Sequence, residues 1–222
     1  MFPPMKKRTP AINDLLRVMA RLRSPTGCPW DREQDHMTLR RHAIEEVYEL
    51  IDAIEARDDH EMAEELGDLL LQVVFHCQLA NERGAFDFEK VARHLVDKLV
   101  RRHPHVFGDT KVKDVDEVWA NWEKIKKAEK VGTRHERPSA LDGIPKHLPA
   151  LLRAEKLIKK ARKAKLLGDA KPIRRASKPT LSRELFELTA YAQSRGWTAE
   201  ELLMGETKKR ERAFRQIEMK RE

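Results

Sequence analysis

The chain has 222 residues, of which 37% are charged, with a formal net charge of +8 and two cysteines. That length holds one large or two small domains with enough core to fold without covalent help. Two isolated cysteines, Cys28 and Cys77, exclude a disulfide scaffold or a thiolate metal cluster and suit a reducing cytoplasm, the expected location. No run approaches membrane-spanning length, and Met1-Phe2-Pro3-Pro4 followed by Lys6-Lys7-Arg8 lacks the apolar stretch of a secretory leader.

Apolar residues recur at helical spacing in 11–23, 38–57, 60–83, 87–103, 114–130, 147–167, 181–195 and 198–218, and no alternating run bounded by hairpin turns appears. The expected class is all-α. After the first helix, Cys28-Pro29-Trp30-Asp31 makes a junction in which Trp30 either covers a pocket or closes the helix connection. The next two helices carry Glu45, Glu46 and Glu49, then Glu65 and Asp68, on either side of Arg57-Asp58-Asp59-His60. Folding back there into an antiparallel pair sets Glu49 level with Glu65 and Glu46 level with Asp68, because equal steps from a turn meet at equal height. Glu46 and Glu49, three apart, share a face, as do Glu65 and Asp68.

Carboxylates crowded in this way repel unless a cation or shared protons intervene. The ligand set is all oxygen, so hard Mg²⁺, with Mn²⁺ as substitute, is favoured over Zn²⁺. A solvated acidic face is the competing reading. The apolar flank of Leu50, Ile51, Ile54, Leu66, Leu69, Leu70, Val73 and Val74 argues against it by setting the carboxylates beside a core-forming stripe.

Asn81-Glu82-Arg83-Gly84 ends the second motif helix, with Gly84 in the left-handed closing position. In the following helix Lys98, Arg101 and Arg102 make one basic stripe that either complements the helix C-terminus or contacts phosphate. Pro104, Pro138 and Pro145 mark loops. Trp122 and Lys126, four apart, can stack a base and touch a phosphate, whereas Trp119 reads as core. The charge is lopsided: residues 151–222 carry +10 and residues 1–150 carry −2. Gly168, Pro172 and Pro179 interrupt the basic stretch, which reads as a linker over 168–179.

Glu45-Glu46-Val47-Tyr48-Glu49 and Glu65-Leu66-Gly67-Asp68 together resemble the EExxE…ExxD signature of MazG-type nucleoside triphosphate pyrophosphohydrolases. Cys28-Pro29-Trp30-Asp31-Arg32-Glu33-Gln34, the segment Arg101 to Asp109, Trp122-Glu123-Lys124-Ile125-Lys126 and the segment Ser139 to Pro145 resemble further MazG segments in the same order. The resemblance covers roughly residues 11–158. It implies a MazG-like helical bundle whose antiparallel pair carries the metal site, completed by oligomerisation as a homodimer, with a tetramer also open.

The implied reaction converts a nucleoside triphosphate and water into monophosphate and pyrophosphate, with Mg²⁺, broad substrate range and a house-cleaning role. Metal binding then falls to Glu46, Glu49, Glu65 and Asp68. Glu45 completes the catalytic set, as ligand of a second ion or as the group that orients and deprotonates water. Lys98, Arg101, Arg102, Trp122, Lys126 and Trp30 become the substrate-binding residues.

Long members of the family resemble two tandem helical units, and the segment Leu181 to Phe186 aligns with Leu66 to Leu71. Thr180 and Arg183 stand where Glu65 and Asp68 do, and the partner EExxE is missing. A catalytic domain over 1–135 and a degenerate, silent second unit over 136–222 are expected. A nucleic-acid-binding or regulatory protein using the basic tail is the alternative function, but no groove-reading motif or interleaved aromatics accompany that charge, so nucleic acid is an unexpected partner.

Overall fold

Every regular element among the described residues of the computed structural model, 10–134, 136–167 and 176–221, is helical. The helices are α1 Ala11–Leu22, α2 Pro29–Glu33, α3 Arg40–Ala56, α4 Asp59–Glu82, α5 Phe88–Arg102, α6 Pro104–Phe107, α7 Val115–Ala128, α8 Ala150–Lys163, α9 Lys178–Ser194 and α10 Ala199–Met219. They form two compact units, Met1–Lys113 and Asp114–Glu222. The division between these units falls before α7, whose Glu123 and Lys126 act electrostatically on Lys160 of α8.

Local chemistry sets the turn between α3 and α4. Arg57 adopts left-handed φ of 57°, and the amides of Arg57 and Asp58 return to the carbonyls of Ile54 and Ala53. Asp58 then caps α4, its carboxylate accepting from the amides of His60 at 2.9 Å and Glu61 at 3.2 Å. Two residues thus reverse the chain, and α3 packs along α4. Gly84, at φ 67°, closes α4: its own amide bonds Asn81 and the amide of Ala85 bonds Ala80.

The core of the first unit lies at the far end of α4 from this turn. Val74, Phe75 and Leu79 pack with Met19 of α1 and Leu39, joined by Ile12, Leu15, Leu16, Leu71 and Phe88. Arg23, just past α1, locks that end through a two-pronged ion pair with Glu82, both contacts at 2.7 Å. His36, in the loop before α3, stacks on His76 with the two Nδ1 atoms 2.8 Å apart, so at most one of them carries a proton. Burial holds His76 below its ordinary pKa.

The apolar flank beside the carboxylates differs from the sequence expectation. Val74 is fully buried, but Ile51, Ile54, Leu66, Leu70 and Val73 are 40% or more exposed. Periodicity identifies the apolar side of a helix pair, not what covers it, and α1 covers only part of this one.

In the second unit α8 lies against α10 around Leu141, Leu157, Ala161 and Leu166, with Phe214 packed on them. Arg153, buried on α8, donates to the Pro145 carbonyl at 2.8 Å and to Glu211 of α10 at 2.6 Å. Arg215 bridges Glu211 and Asp142, each at 2.8 Å. This network ties the 139–145 segment and both helices together.

Three sequence expectations need correction. Pro104 opens α6 at its first position, where a missing N–H and a fixed φ suit a helix start. For the same reason Lys178 and Pro179 belong to the first turn of α9, capped by Ser177 accepting from the Thr180 amide at 3.3 Å. Most of the expected linker, 168–175, lies outside the described residues. Trp119, read as core, is half-exposed and tilts against Trp122 at 5.0 Å.

Candidate active site

The tight turn between α3 and α4 sets the register of their facing side chains. Carboxylate oxygens of Glu46, Glu49 and Glu65 lie within 4.8 Å of one another, close enough to share one cation. Asp68, one turn along α4 from Glu65, adds its charge. Burial, then Asp68, then Glu49 push the Glu46 carboxyl above the ordinary range. Burial, then Glu49, Asp68, Glu46 and Glu61 do the same for Glu65. Among charged neighbours, Glu46 feels Asp68 most and Glu65 feels Glu49 most, the register that equal steps from the turn require.

Glu45 departs from this grouping. It is exposed, and one of its oxygens lies 3.2 Å from Nδ1 of His42, one turn earlier on α3. His42 in turn meets the half-exposed Trp30 of α2 edge to face, with ring centroids 6.0 Å apart. Trp30, His42 and Glu45 therefore form a chain of their own. On α5, which packs against α4, Lys98 and Arg102 are half-buried one turn apart and Arg101 is exposed. On α7 of the second unit, the Lys126 ammonium sits 6.0 Å from the centre of the Trp122 ring and 3.2 Å from Glu123.

Sequence reasoning missed one polar group of the site. Gln72, four residues after Asp68, is 7% exposed, and its Oε1 finds no partner among the described residues. Its amide acts on Glu46 in favour of the charged carboxylate. The available signal was its position, a single polar residue in the run Leu69 to Phe75 at helical spacing from Glu65 and Asp68.

As a donor set, these oxygens fit a hard divalent cation. They are anionic, convergent and mutually repelling, and a buried amide oxygen beside them has no partner. Among the described residues no helix is long and apolar enough to cross a membrane.

Residues 34–107 match the family model described as the MazG nucleotide pyrophosphohydrolase domain. The chain is similar to the nucleoside triphosphate pyrophosphohydrolase of Escherichia coli (strain K12), 49% identical over 150 residues, which is 67% of this chain and 56% of that one. It is also similar to the nucleoside triphosphate pyrophosphohydrolase/pyrophosphatase MazG of Thermotoga maritima, 47% identical over 153 residues, 69% of this chain and 57% of that one. A third relative, the uncharacterized protein YabN of Bacillus subtilis (strain 168), is 48% identical over 161 residues, 71% of this chain and 32% of that one. The chain thus spans 32% to 57% of the length of these relatives.

Proposed function

Because residues 34–107 form a MazG nucleotide pyrophosphohydrolase domain, we propose that the protein hydrolyses several nucleoside triphosphates to monophosphate and pyrophosphate with Mg²⁺, for which Mn²⁺ can substitute. The observation that carries this reading is the convergence of Glu46, Glu49 and Glu65 within 4.8 Å, with Asp68 adding to their repulsion. A triphosphate is itself strongly anionic, so a carboxylate cluster can approach it only through cations. Mg²⁺ held there would screen the phosphate oxygens and acidify a water molecule.

The remaining roles belong to the chain's own side chains. Glu45 stands outside the cluster, turned to His42 at 3.2 Å, and is assigned either to a second ion or to the attacking water once substrate is bound. Lys98, Arg101 and Arg102 neutralise phosphate charge that the metal leaves. Trp30 is assigned to a substrate contact within the first unit, whereas the roles expected of Trp122 and Lys126, which belong to the second unit, rest on the family resemblance alone. A second copy of the chain is the expected partner, supported by the exposed aliphatics around the carboxylates, with Leu66 at 50% and Ile54 at 52%. The second unit is assigned a packing role, since Arg183 at the position of Asp68 would repel a cation and instead faces Glu187 at 3.8 Å.

Hydrolysis in water enriched in heavy oxygen tests the reaction. Attack at the α-phosphorus places the label in the nucleoside monophosphate. Label in orthophosphate, with diphosphate as first product, would overturn the assignment.

A further inference from the structure

Gln72 stands between the carboxylates and the core of the first unit. Its spacing of four from Asp68 and seven from Glu65 puts it on their face of α4, and Phe75, three residues on, belongs to the core. Leucine there would satisfy helix and core alike without a polar group to bury, and Leu69, Leu70 and Leu71 immediately precede it. The glutamine is instead 7% exposed with an orphaned Oε1, an arrangement that an apolar side chain would avoid. Its nitrogen is the end suited to Glu46, because two facing oxygens repel whereas an N–H donates to a carboxylate. The carbonyl end is then left as a buried acceptor close to Glu46, which offers it no hydrogen when ionised.

We infer that Gln72 is a positioning residue for the carboxylate site: its amide nitrogen donates to Glu46 and fixes the orientation of that carboxylate, and its oxygen accepts a hydrogen from water carried by the bound divalent cation. This rests on reading the carboxylates as a metal site. Partners of this kind aim ligands at a metal, and losing one typically weakens metal affinity 10- to 100-fold.

The test is a titration of the metal-free protein with Mn²⁺, following free ion by electron paramagnetic resonance, for wild type, Gln72→Met, Gln72→Leu and Glu49→Gln. Both apolar variants keep approximate volume and helix preference, so the expected result is a metal-free melting temperature equal to or above that of wild type. Their Mn²⁺ affinity should fall about 10-fold or more, with turnover restored by raising Mn²⁺. Wild-type affinity in the Gln72 variants, with binding lost in Glu49→Gln, overturns the inference and leaves the metal site standing. Unchanged affinity in Glu49→Gln, or no Mn²⁺ binding by wild type, removes the site and the inference together. Melting far below wild type in both apolar variants would make Gln72 a core residue and would equally overturn its assignment.

Discussion

Replacing Glu49 by Gln tests the carboxylate site through stability before any turnover is measured. The oxygens of Glu46 and Glu49 lie within 4.8 Å. Two unit charges at that separation repel by about 0.9 kcal/mol in a medium as polarisable as water, and by more in the protein interior. Glu49 is exposed, so the lower figure governs, and removing its repulsion of Glu65 adds in the same direction. The metal-free variant should therefore gain at least about 1 kcal/mol. In a cooperative unit of roughly 100 residues that raises the melting temperature by about 4–8 °C. The measurement is scanning calorimetry in EDTA at low salt, because at physiological ionic strength the screening length of about 8 Å already weakens such a pair. With Mg²⁺ the order reverses: binding stabilises the wild type by RT ln(1 + [Mg²⁺]/Kd), and the variant, short of one ligand, gains less. A melting temperature in EDTA at or below that of wild type, or an equal gain from Mg²⁺ in both proteins, would refute the reasoning.

Asp68→Asn keeps size and helix, so turnover should fall at least about 100-fold with an unchanged circular dichroism spectrum; near-normal turnover would reduce the cluster to a solvated face. The raised pKa of Glu46 means that its ionised form withdraws stability from the metal-free protein. That loss is complete above the folded pKa and absent below the ordinary value of 4.5. The melting difference between Glu46→Gln and wild type in EDTA should thus shrink as pH falls toward 4.5, with other groups such as His76 cancelling in the comparison, and a pH-independent difference would contradict it. In the second unit Glu211→Ala strands the buried Arg153 and should destabilise by about 3–5 kcal/mol in urea unfolding. By comparison, Arg183→Ala, losing an exposed pair at 3.8 Å, should cost less than about 1 kcal/mol; equal effects would count against the buried network.

Much of the site was legible because a helix advances by a constant rise. Once Asp58 is seen as a cap, counting outward from the turn pairs Glu49 with Glu65 and Glu46 with Asp68 without further information. Glu45 shows where that arithmetic stops. Its four-residue spacing from Glu49 gives a shared face, but rotamer and local partner decide where a carboxylate points, and His42 lies one turn away. The helices α2 and α6, with five and four residues, are too short for periodicity to register, and Pro104 reads as a break when it is a start. The exposure of Leu66 and Ile54 was equally hidden, since a hydrophobic stripe does not name its cover. Gln72 was overlooked for a simpler reason: one polar residue in an apolar run looks like noise until its burial and orphaned oxygen are measured.

All four carboxylates of the proposed metal site lie on a single helical hairpin closed by Arg57 and Asp58, whereas the Arg23–Glu82 clasp joins residues 59 apart in the chain. Short loops close faster and at less entropic cost than long ones, so contacts along the hairpin can form before the clasp does. The acidic groups would then already confront one another in the folding transition state, where their repulsion slows the chain's own assembly. A divalent ion bound at that stage would act on the refolding rate and not merely on the lifetime of the finished structure. If these four side chains hold a divalent ion as proposed, they would also link metal supply to how quickly newly made protein matures.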